Sequence, residues 1–455
     1  MNRLASSPSL SRRRFLGGAL AASTSMALGP NLLRAANGPE PLRVGGIGSG
    51  VGDVGQIAHG NIIHALCDID SRRAAGNRRN HPNARFFYDF REMFSEMADE
   101  IDVVTISTPD HSHFPAALAA MQLGIPVFVQ KPVSNNIWET RLLAQLARKL
   151  NLPTVMGNQG ATFEGTRRIR EIIEAGVIGD VLEVHSHTDR PIWPQGVNLN
   201  LPPADAPDSI RWDLFLAQVD SDMPYSPEIH PFKWRGLRDF GCGAIGDIAP
   251  HSLHAAFWAL DLRGDFTVEA SEVSEFDDNS FPERSVLTYH FPARDGRAPV
   301  KIIWQDGVKN PATHRGFIRP AGLPDDFDLG DGAQVFVGTE GTLVCPDLNG
   351  RAAPILFPEE LREKAASVPR TLPRVEGGPT RELCAFIRGD GPKPVSSLDE
   401  WAGPLSEMCL VGNLAILLGK KIDWDSENLS ARGMPEADTI IRRQYRAGWE
   451  PPATI

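Results

Sequence analysis

From Pro41 onward, short apolar runs alternate with longer segments of helical character. The runs are "LRVGGIG", "NIIHALCDID", "EIDVVTIST", "PVFVQKP" and "LPTVMGNQG", separated by stretches such as 115–124 and 137–150. Strands rich in Val and Ile, each followed by a helix, must bury both faces of their sheet. The pattern therefore predicts an α/β fold whose first domain, over 40–160, is a doubly wound parallel sheet. From about Asp180 the period changes: "DVLEVHSHTD", "FTVEASEVSEF", "SVLTYHFPA", "VKIIWQDG" and "AQVFVGTEGTLVCPD" read as longer strands of partial alternation. A second α/β domain over 161–455 follows, built on a large, mostly antiparallel open sheet, with a hairpin loop at 338–341. One face of that sheet is expected under helices and the other free to present a surface. The Pro- and Gly-rich stretches 191–209 and 319–332 read as long loops, which are often functional.

The first 36 residues form a separate unit. "SRRRFLGGALAASTSMALG" sets Ser11-Arg12-Arg13 ahead of a short run of Gly, Ala, Ser and Leu, the pattern of a twin-arginine export signal with cleavage near Ala35 or Ala36. The run from Phe15 to Leu28 falls well short of the ~20 residues that span a bilayer, so no stable membrane anchor is expected. The expected address is the periplasm or another exported location, and the export machinery is an expected partner.

Composition narrows the partners further. The 455 residues are 42% hydrophobic and 23% charged, with 46 Lys and Arg against 57 Asp and Glu, a net charge of −11. Five of those arginines and none of the acids lie in residues 1–36, which leaves −16 on the remainder. Such a balance argues against nucleic acid and anionic membrane as partners. The five cysteines, Cys67, Cys242, Cys345, Cys384 and Cys409, contain no C-x-x-C pair and read as small buried residues, with Cys242 placed near a site by its flanking glycines.

Candidate chemistry starts at "GGIGSGVGDVG", where Gly48-Ser49-Gly50 follows the first apolar run directly. In a Rossmann unit such glycines permit a tight turn and let backbone N–H groups approach a pyrophosphate. The literal G-x-G-x-x-G begins at Gly50, but strand register favours a start at Gly48 and puts Asp53 where the third glycine belongs. Asp68, 20 residues after Gly48, sits where a carboxylate binds the adenosine ribose hydroxyls and repels a 2′-phosphate. The cofactor read from these residues is NAD, with Arg72 and Arg73 close enough to leave NADP open.

Together with "CDID", "STPDHSH" (107–113), "QKP" (130–132), "MGNQG" (156–160), "DRPIWPQG" (189–196), "PEIHPFKWRG" (227–236) and "GAIGDIAPHSLH" (243–254), these features resemble the Gfo/Idh/MocA oxidoreductases. That family includes glucose–fructose oxidoreductase and inositol dehydrogenase, and the "DRPIWPQG" stretch is similar to its exported twin-arginine subgroup. The resemblance covers nearly the whole chain beyond the signal. It implies a Rossmann domain, then an α/β domain whose open sheet forms a substrate face and often an oligomer interface, so a homo-oligomer is expected.

The resemblance also implies that Lys131 hydrogen-bonds the reacting hydroxyl and that Asp247 and His251 form the catalytic pair. His251 is then the acid/base, and Asp247 the orienting or substrate-binding partner. Four residues apart on a helix, the two share one face. Two departures stand out. The usual "EKP" is "QKP", so a neutral Gln130 removes a carboxylate charge that would otherwise hold Lys131 protonated; and the helix after the glycine loop is short, with Gly55 and Gly60 in it.

Around the nucleotide, Thr108 and Pro109 are expected on the cofactor ribose, His111 and His113 toward the nicotinamide, and Gln130, Asn158 and Gln159 at neighbouring strand ends. Arg190, Trp193, Gln195, His230, Lys233, Trp234 and Arg235 have the mixed aromatic and hydrogen-bonding character of a carbohydrate pocket. His254 lies one turn beyond His251, but without a matching acidic helix this is a poor metal site, and no metal is expected.

The function that follows is an NAD(P)-dependent oxidoreductase acting on a secondary hydroxyl of a sugar, cyclitol or sugar derivative, with Lys131 and His251 handling the hydroxyl proton. Export of a folded chain suggests a cofactor tightly bound and regenerated in place. That consideration raises an alternative, a redox-neutral NAD-dependent glycosidase or lyase that oxidises, eliminates, adds water and reduces back. A third reading, a carbohydrate-binding protein with a vestigial Rossmann domain, is opposed by the presence of Lys131, Asp247 and His251.

Overall fold

The structure is a computed structural model that describes residues 41–452. The twin-arginine segment, 1–36, lies outside the described residues.

The first sheet is wholly parallel. Its strands are β1 (Arg43–Ile47), β2 (Ile62–Cys67), β3 (Arg85–Phe87), β4 (Val103–Ile106), β5 (Val127–Val129) and β6 (Thr154–Met156), in the order β3-β2-β1-β4-β5-β6. Helices α1 (Asp53–Ile57), α2 (Ala75–Asn80), α3 (Phe90–Met97), α4 (Asp110–Gln122) and α5 (Ile137–Leu150) make the crossovers. All four residues of β4, "VVTI", are buried, as a strand covered on both faces requires. Side chains set the helix ends: Asn136 caps α5 by accepting the Glu139 N–H at 3.3 Å, and Asn151 closes it in the left-handed region at φ 48°. Strand order reverses between β1 and β4, so their carboxyl ends open a crevice where doubly wound sheets bind ligands.

The second sheet is mixed and mostly antiparallel. It comprises β7 (Val181–Thr188), β8 (Phe266–Val273), β9 (Ser285–Phe291), β10 (Val300–Gln305), β11 (Gly332–Gly338), β12 (Thr342–Cys345), β13 (Ile355–Phe357), β14 (Ile422–Asp425) and β15 (Ser430–Ala431). Their order is β13-β12-β11-β7-β10-β9-β8-β14-β15, with β7 and β10 parallel. The β11–β12 connection falls at 339–341, as the "GTEG" signal predicts. Among the described residues eight further α-helices follow: α6 (Glu164–Glu174), α7 (Trp212–Leu216), α8 (Gly243–Ser252), α9 (His254–Leu260), α10 (Leu361–Ser367), α11 (Gly378–Arg388), α12 (Gly403–Leu418) and α13 (Asp438–Ile441).

Two of these helices join the sheets. The span Leu398–Leu418, ending in α12, is long and apolar enough to cross a membrane, yet 78% of its window is buried inside the protein, which identifies a core helix. It packs between α5 and β8. Glu407 on α12 accepts from Arg141 of α5 at 2.8 and 2.6 Å and from the Trp424 indole of β14 at 3.0 Å. One carboxylate thus ties the second sheet to a helix of the first. Farther on, α11 sets Leu383, Cys384 and Ile387 against Leu42, Val44 and Val155 of the first sheet.

The outer face of the second sheet differs from expectation. Ala333, Val335 and Val344 on that face are buried under Phe317, Leu323, Phe327 and Leu329 of the 306–331 connection. The Gln305 side chain pins the connection through Ile318 N–H and C=O at 2.8 and 3.0 Å, and the His187 imidazole lies edge-on to Phe317. Strands β11 and β12 are apolar on both sides, so this end of the sheet had to be covered.

Glu407→Ala leaves the Arg141 guanidinium and the Trp424 N–H without their acceptor, and is expected to lower stability by about 3 kcal/mol in urea-unfolding measurements. A loss near zero would show that the inter-sheet tie contributes nothing.

Candidate active site at the domain crevice

The glycine loop follows from sterics. Gly48 leaves β1 at φ +77°, and a Cβ there would lie 2.4 Å from the Ser107 carbonyl oxygen, so no other residue fits. Gly50 donates its N–H to Asp68 Oδ2 at 2.8 Å, and a Cβ on it would meet Arg73 at 2.8 Å. Added Cβ atoms at Gly52 and Gly55 would meet nothing within 4 Å. Steric need therefore begins at Gly48 and ends at Gly50, as strand register implies.

Asp53 occupies the third position, in the first turn of α1. Its Oδ2 accepts from Ser107 Oγ at 2.7 Å and from Gln130 Nε2 at 2.8 Å. The neutral residue before Lys131 is thereby explained: an amide at 130 supplies the donor that buried Asp53 requires, where a carboxylate would repel it.

Asp68 fastens the loop from below, taking Gly50 N–H on one oxygen and Asp70 N–H at 2.9 Å on the other. Burial raises its pKa to about 6 against those backbone donors and Arg73. Above it lies a cavity of about 390 Å³, walled by Gly48, Asp68, Arg73, Thr108, Pro109, Gln130 and Lys131 and, from the second domain, Phe215, His230, Phe232, Trp234 and Arg235. Typical small-ligand pockets are about 300–1000 Å³, so this one is of ligand-binding size. Buried Ser49 Oγ, Thr108 Oγ1 and His230 Nδ1 have no hydrogen-bond partner among the described residues. Unpaired polar atoms at a crevice are what ligand hydroxyls and phosphates satisfy, so the residues present fit NAD.

A strap over 199–240 closes the crevice from the second domain. It is stitched to the chain just after β2 by Ser71 N–H to Ser209 O at 3.0 Å and Arg211 N–H to Ile69 O at 2.9 Å. His230 Nε2 adds a contact to Asp70 Oδ2 at 3.3 Å. Phe215, Ile229, Trp234, Leu237 and Phe240 give the strap a small core of its own. Trp449, near the C-terminal end of the described chain, completes the cavity wall beside Phe90.

At the inner end, Lys131 follows β5 and donates from Nζ to Asp247 Oδ1 at 2.7 Å and to the Asp247 carbonyl at 2.9 Å. Arg235 Nε reaches the same Oδ1 at 3.1 Å. Burial would raise the pKa of Asp247, but the Lys131 and Arg235 cations outweigh it and hold the carboxyl below its usual range. Asp247 therefore grips Lys131 and does not orient His251. That task falls to Asn158, whose Oδ1 lies 3.3 Å from His251 Nδ1 and whose Nδ2 donates to the Pro250 carbonyl. Burial and the Lys131 cation push His251 down to about 3, so its imidazole is neutral. His251 is not part of the cavity wall.

Several other expected residues serve the frame. His111 and His113 are fully buried away from the cavity, with both ring nitrogens on backbone carbonyls: Phe215 O at 2.6 Å and Phe240 O at 3.2 Å for His111, Pro132 O and Thr108 O at 2.9 Å for His113. Burial lowers them to about 3 and about 4. They position the strap and the Thr108 and Lys131 turns. Trp193 is buried and donates to Gln195 Oε1 at 2.7 Å, Arg190 pairs with Asp189, and neither they nor Gln159 line the cavity. The cavity wall also holds residues the sequence does not single out, among them Tyr88, Asp110, Phe215, Phe232 and Trp449. Asp110 was within reach of sequence reasoning, standing inside "STPDHSH" between residues that were singled out.

Comparison with known proteins agrees with this geometry. Residues 44–158 match the profile of the Gfo/Idh/MocA oxidoreductase family, NAD-binding Rossmann fold. The chain is 27% identical over 148 residues to inositol 2-dehydrogenase of Corynebacterium glutamicum (31% of this chain, 43% of the relative). It is 26% identical over 157 residues to D-glucoside 3-dehydrogenase of Escherichia coli (33% and 44%). The chain thus spans less than half the length of these curated relatives. In fold it is similar to the WlbA dehydrogenase from Bordetella pertussis, solved with NADH and UDP-GlcNAcA, with TM-score 0.57 and 14% identity over 85% of this chain and 98% of that one. Residues 44–158 thus carry the NAD-binding Rossmann fold that the family profile describes.

Gln130→Glu sets a second carboxylate against Asp53 and is expected to cost about 2 kcal/mol, most of it regained when Asp53→Asn is added. A double-mutant cycle of urea unfolding measures this; simple additivity would contradict the pairing.

Proposed function

We propose that the chain is an NAD-dependent oxidoreductase that oxidises a secondary hydroxyl of a sugar, cyclitol or sugar derivative. The observation that carries this reading is a lysine Nζ fixed by a buried carboxylate in the crevice beside the glycine loop. NAD, when bound, supplies the hydride acceptor. Gly48, Gly50, Asp68, Thr108, Pro109 and Gln130 are the residues that would hold it.

The chain's own residues handle the oxygen. Lys131 presents a donor to the hydroxyl as alkoxide charge grows, and Asp247 with Arg235 keeps that donor aimed. His251, neutral on α8, leaves the Lys131 site without a further cation. The strap and Trp449 wall the crevice around Lys131. The named substrates of the inositol and glucoside dehydrogenases support a polyol substrate.

The same enclosure supports a tightly held cofactor. The twin-arginine pattern at 11–14 supports export of the folded chain with that cofactor inside. Turnover outside the cytoplasm then needs a second, carbonyl-bearing substrate to return the hydride.

Lys131→Ala is expected to lower kcat about 10²- to 10⁴-fold while leaving NAD binding intact, measured with the polyol the wild type oxidises best. Full activity in this variant would overturn the reading. Products two electrons more oxidised than the substrate support net oxidation, whereas hydrolysed products of unchanged oxidation state point to the redox-neutral scheme.

A further inference from the structure

Asp247 needs one cation, and the crevice supplies two. Lys131 Nζ already meets it twice, at Oδ1 and at the main-chain carbonyl. Arg235 adds one bond to the same Oδ1, from Nε at 3.1 Å, and donates from Nη1 to the Phe232 carbonyl at 3.1 Å. Its Nη2 has no hydrogen-bond partner among the described residues. A guanidinium that served only to neutralise Asp247 would engage it through two nitrogens, as arginine–carboxylate pairs frequently do. This one turns a single nitrogen to Asp247 and keeps two N–H groups unpaired in a side chain that, like Lys131, lines the cavity. The side chain is 23% exposed and Nη2 is open to solvent, whereas Asp110 Oδ2 nearby is sealed.

The guanidinium is fixed before any ligand arrives. It lies over the rings of Trp234 and Phe232, 4.4 and 4.5 Å from their centroids, and the Trp234 indole is itself tied to the Pro231 carbonyl at 3.1 Å. Little side-chain freedom is left to lose on binding. The charged groups around it come from three elements: Lys131 after β5, Asp247 on α8 and Asp110 at the start of α4. The cations hold Asp247 ionised, while burial pushes Asp110 up to about 7. His113 and His251, lowered by burial to about 4 and about 3, are neutral. At neutral pH two full positive charges therefore face one full negative charge and one partial one, and the balance favours an anion.

We propose that Arg235 is a specificity-determining residue and that the substrate is an anionic sugar, a hexuronate or related sugar acid, whose carboxylate accepts from Nη2 while the reacting hydroxyl faces Lys131 Nζ. This names the substrate class of the site described above and rests on the oxidoreductase reading. Lys131 and Arg235 grip the same Asp247 oxygen, so a hydroxyl and a carboxylate on one pyranose ring can meet both cations together. A neutral hexose would leave the guanidinium without its charge-assisted partner. Arg235 selects the substrate and takes no part in bond breaking, and the handling of the hydroxyl proton by Lys131 and His251 is unaffected.

Calorimetric binding to the full chain loaded with NADH, which cannot accept a hydride, tests this without turnover. The probes are the methyl glycosides of glucuronate, galacturonate and mannuronate, each beside its parent hexoside and its neutral uronamide. At least one uronate should bind about 10- to 100-fold more tightly than both neutral counterparts, and with NAD the same preference should appear in kcat/KM. Arg235→Gln should abolish the preference. Arg235→Lys keeps the charge but loses the planar donor pair, and should shrink it several-fold. A residue that only steadied Asp247 would weaken all three ligands alike, so an unchanged uronate-to-uronamide ratio in Arg235→Gln, or in Arg235→Lys should the first variant not fold, overturns the assignment. A wild type that binds no uronate more tightly than its neutral counterparts overturns it too; Lys131-dependent oxidation of the hexosides would then leave the oxidoreductase reading intact. An Arg235-dependent preference for a uronate with no oxidation of any probe by NAD supports the anionic ligand and removes the oxidoreductase reading.

Discussion

A buried carboxylate is costly unless cations surround it, and Asp247 meets that requirement by drawing Lys131 from one domain and Arg235 from its own. Because Lys131 stands at the end of β5 and Asp247 on α8, this ion pair registers the second domain against the carboxyl edge of the first. The position of Nζ and the aim of the Arg235 guanidinium both depend on it. Removing one partner would leave a buried charge without its counter-ion.

The aspartates around the crevice show how one residue type acquires different chemistry from its surroundings. Asp68 accepts backbone N–H groups and fastens the glycine loop. Asp53 accepts a hydroxyl and the Gln130 amide, and becomes part of the frame. Asp247 is ionised by its cations. Asp110, buried at the start of α4, has its pKa pushed up by burial to about 7.

Much of this was legible in the sequence where local physics decides the outcome. Strands buried on both faces carry continuous apolar runs, so the first sheet could be read directly, and register picked Gly48 because a strand must end before a tight turn begins. Long-range contacts were not legible. The apolar residues Phe317, Leu323 and Phe327 follow no period, so nothing announced that they would cover the outer face of the second sheet. The strap binds Ile69–Ser71 through backbone groups, which carry no side-chain signal. His111 and His113 looked like ligands because imidazoles often are; only the fold reveals carbonyls on both ring nitrogens. Gln130 looked like a loss beside Lys131, and its meaning appears once Asp53 is seen across from it.

The crevice between the two domains is expected to hold NAD behind the strap. Mass spectrometry of the ligand released by heat from protein purified without added cofactor tests this most directly. Near-stoichiometric NAD is the expected result. Protein that releases no dinucleotide, and takes up none when NAD is supplied, would contradict it.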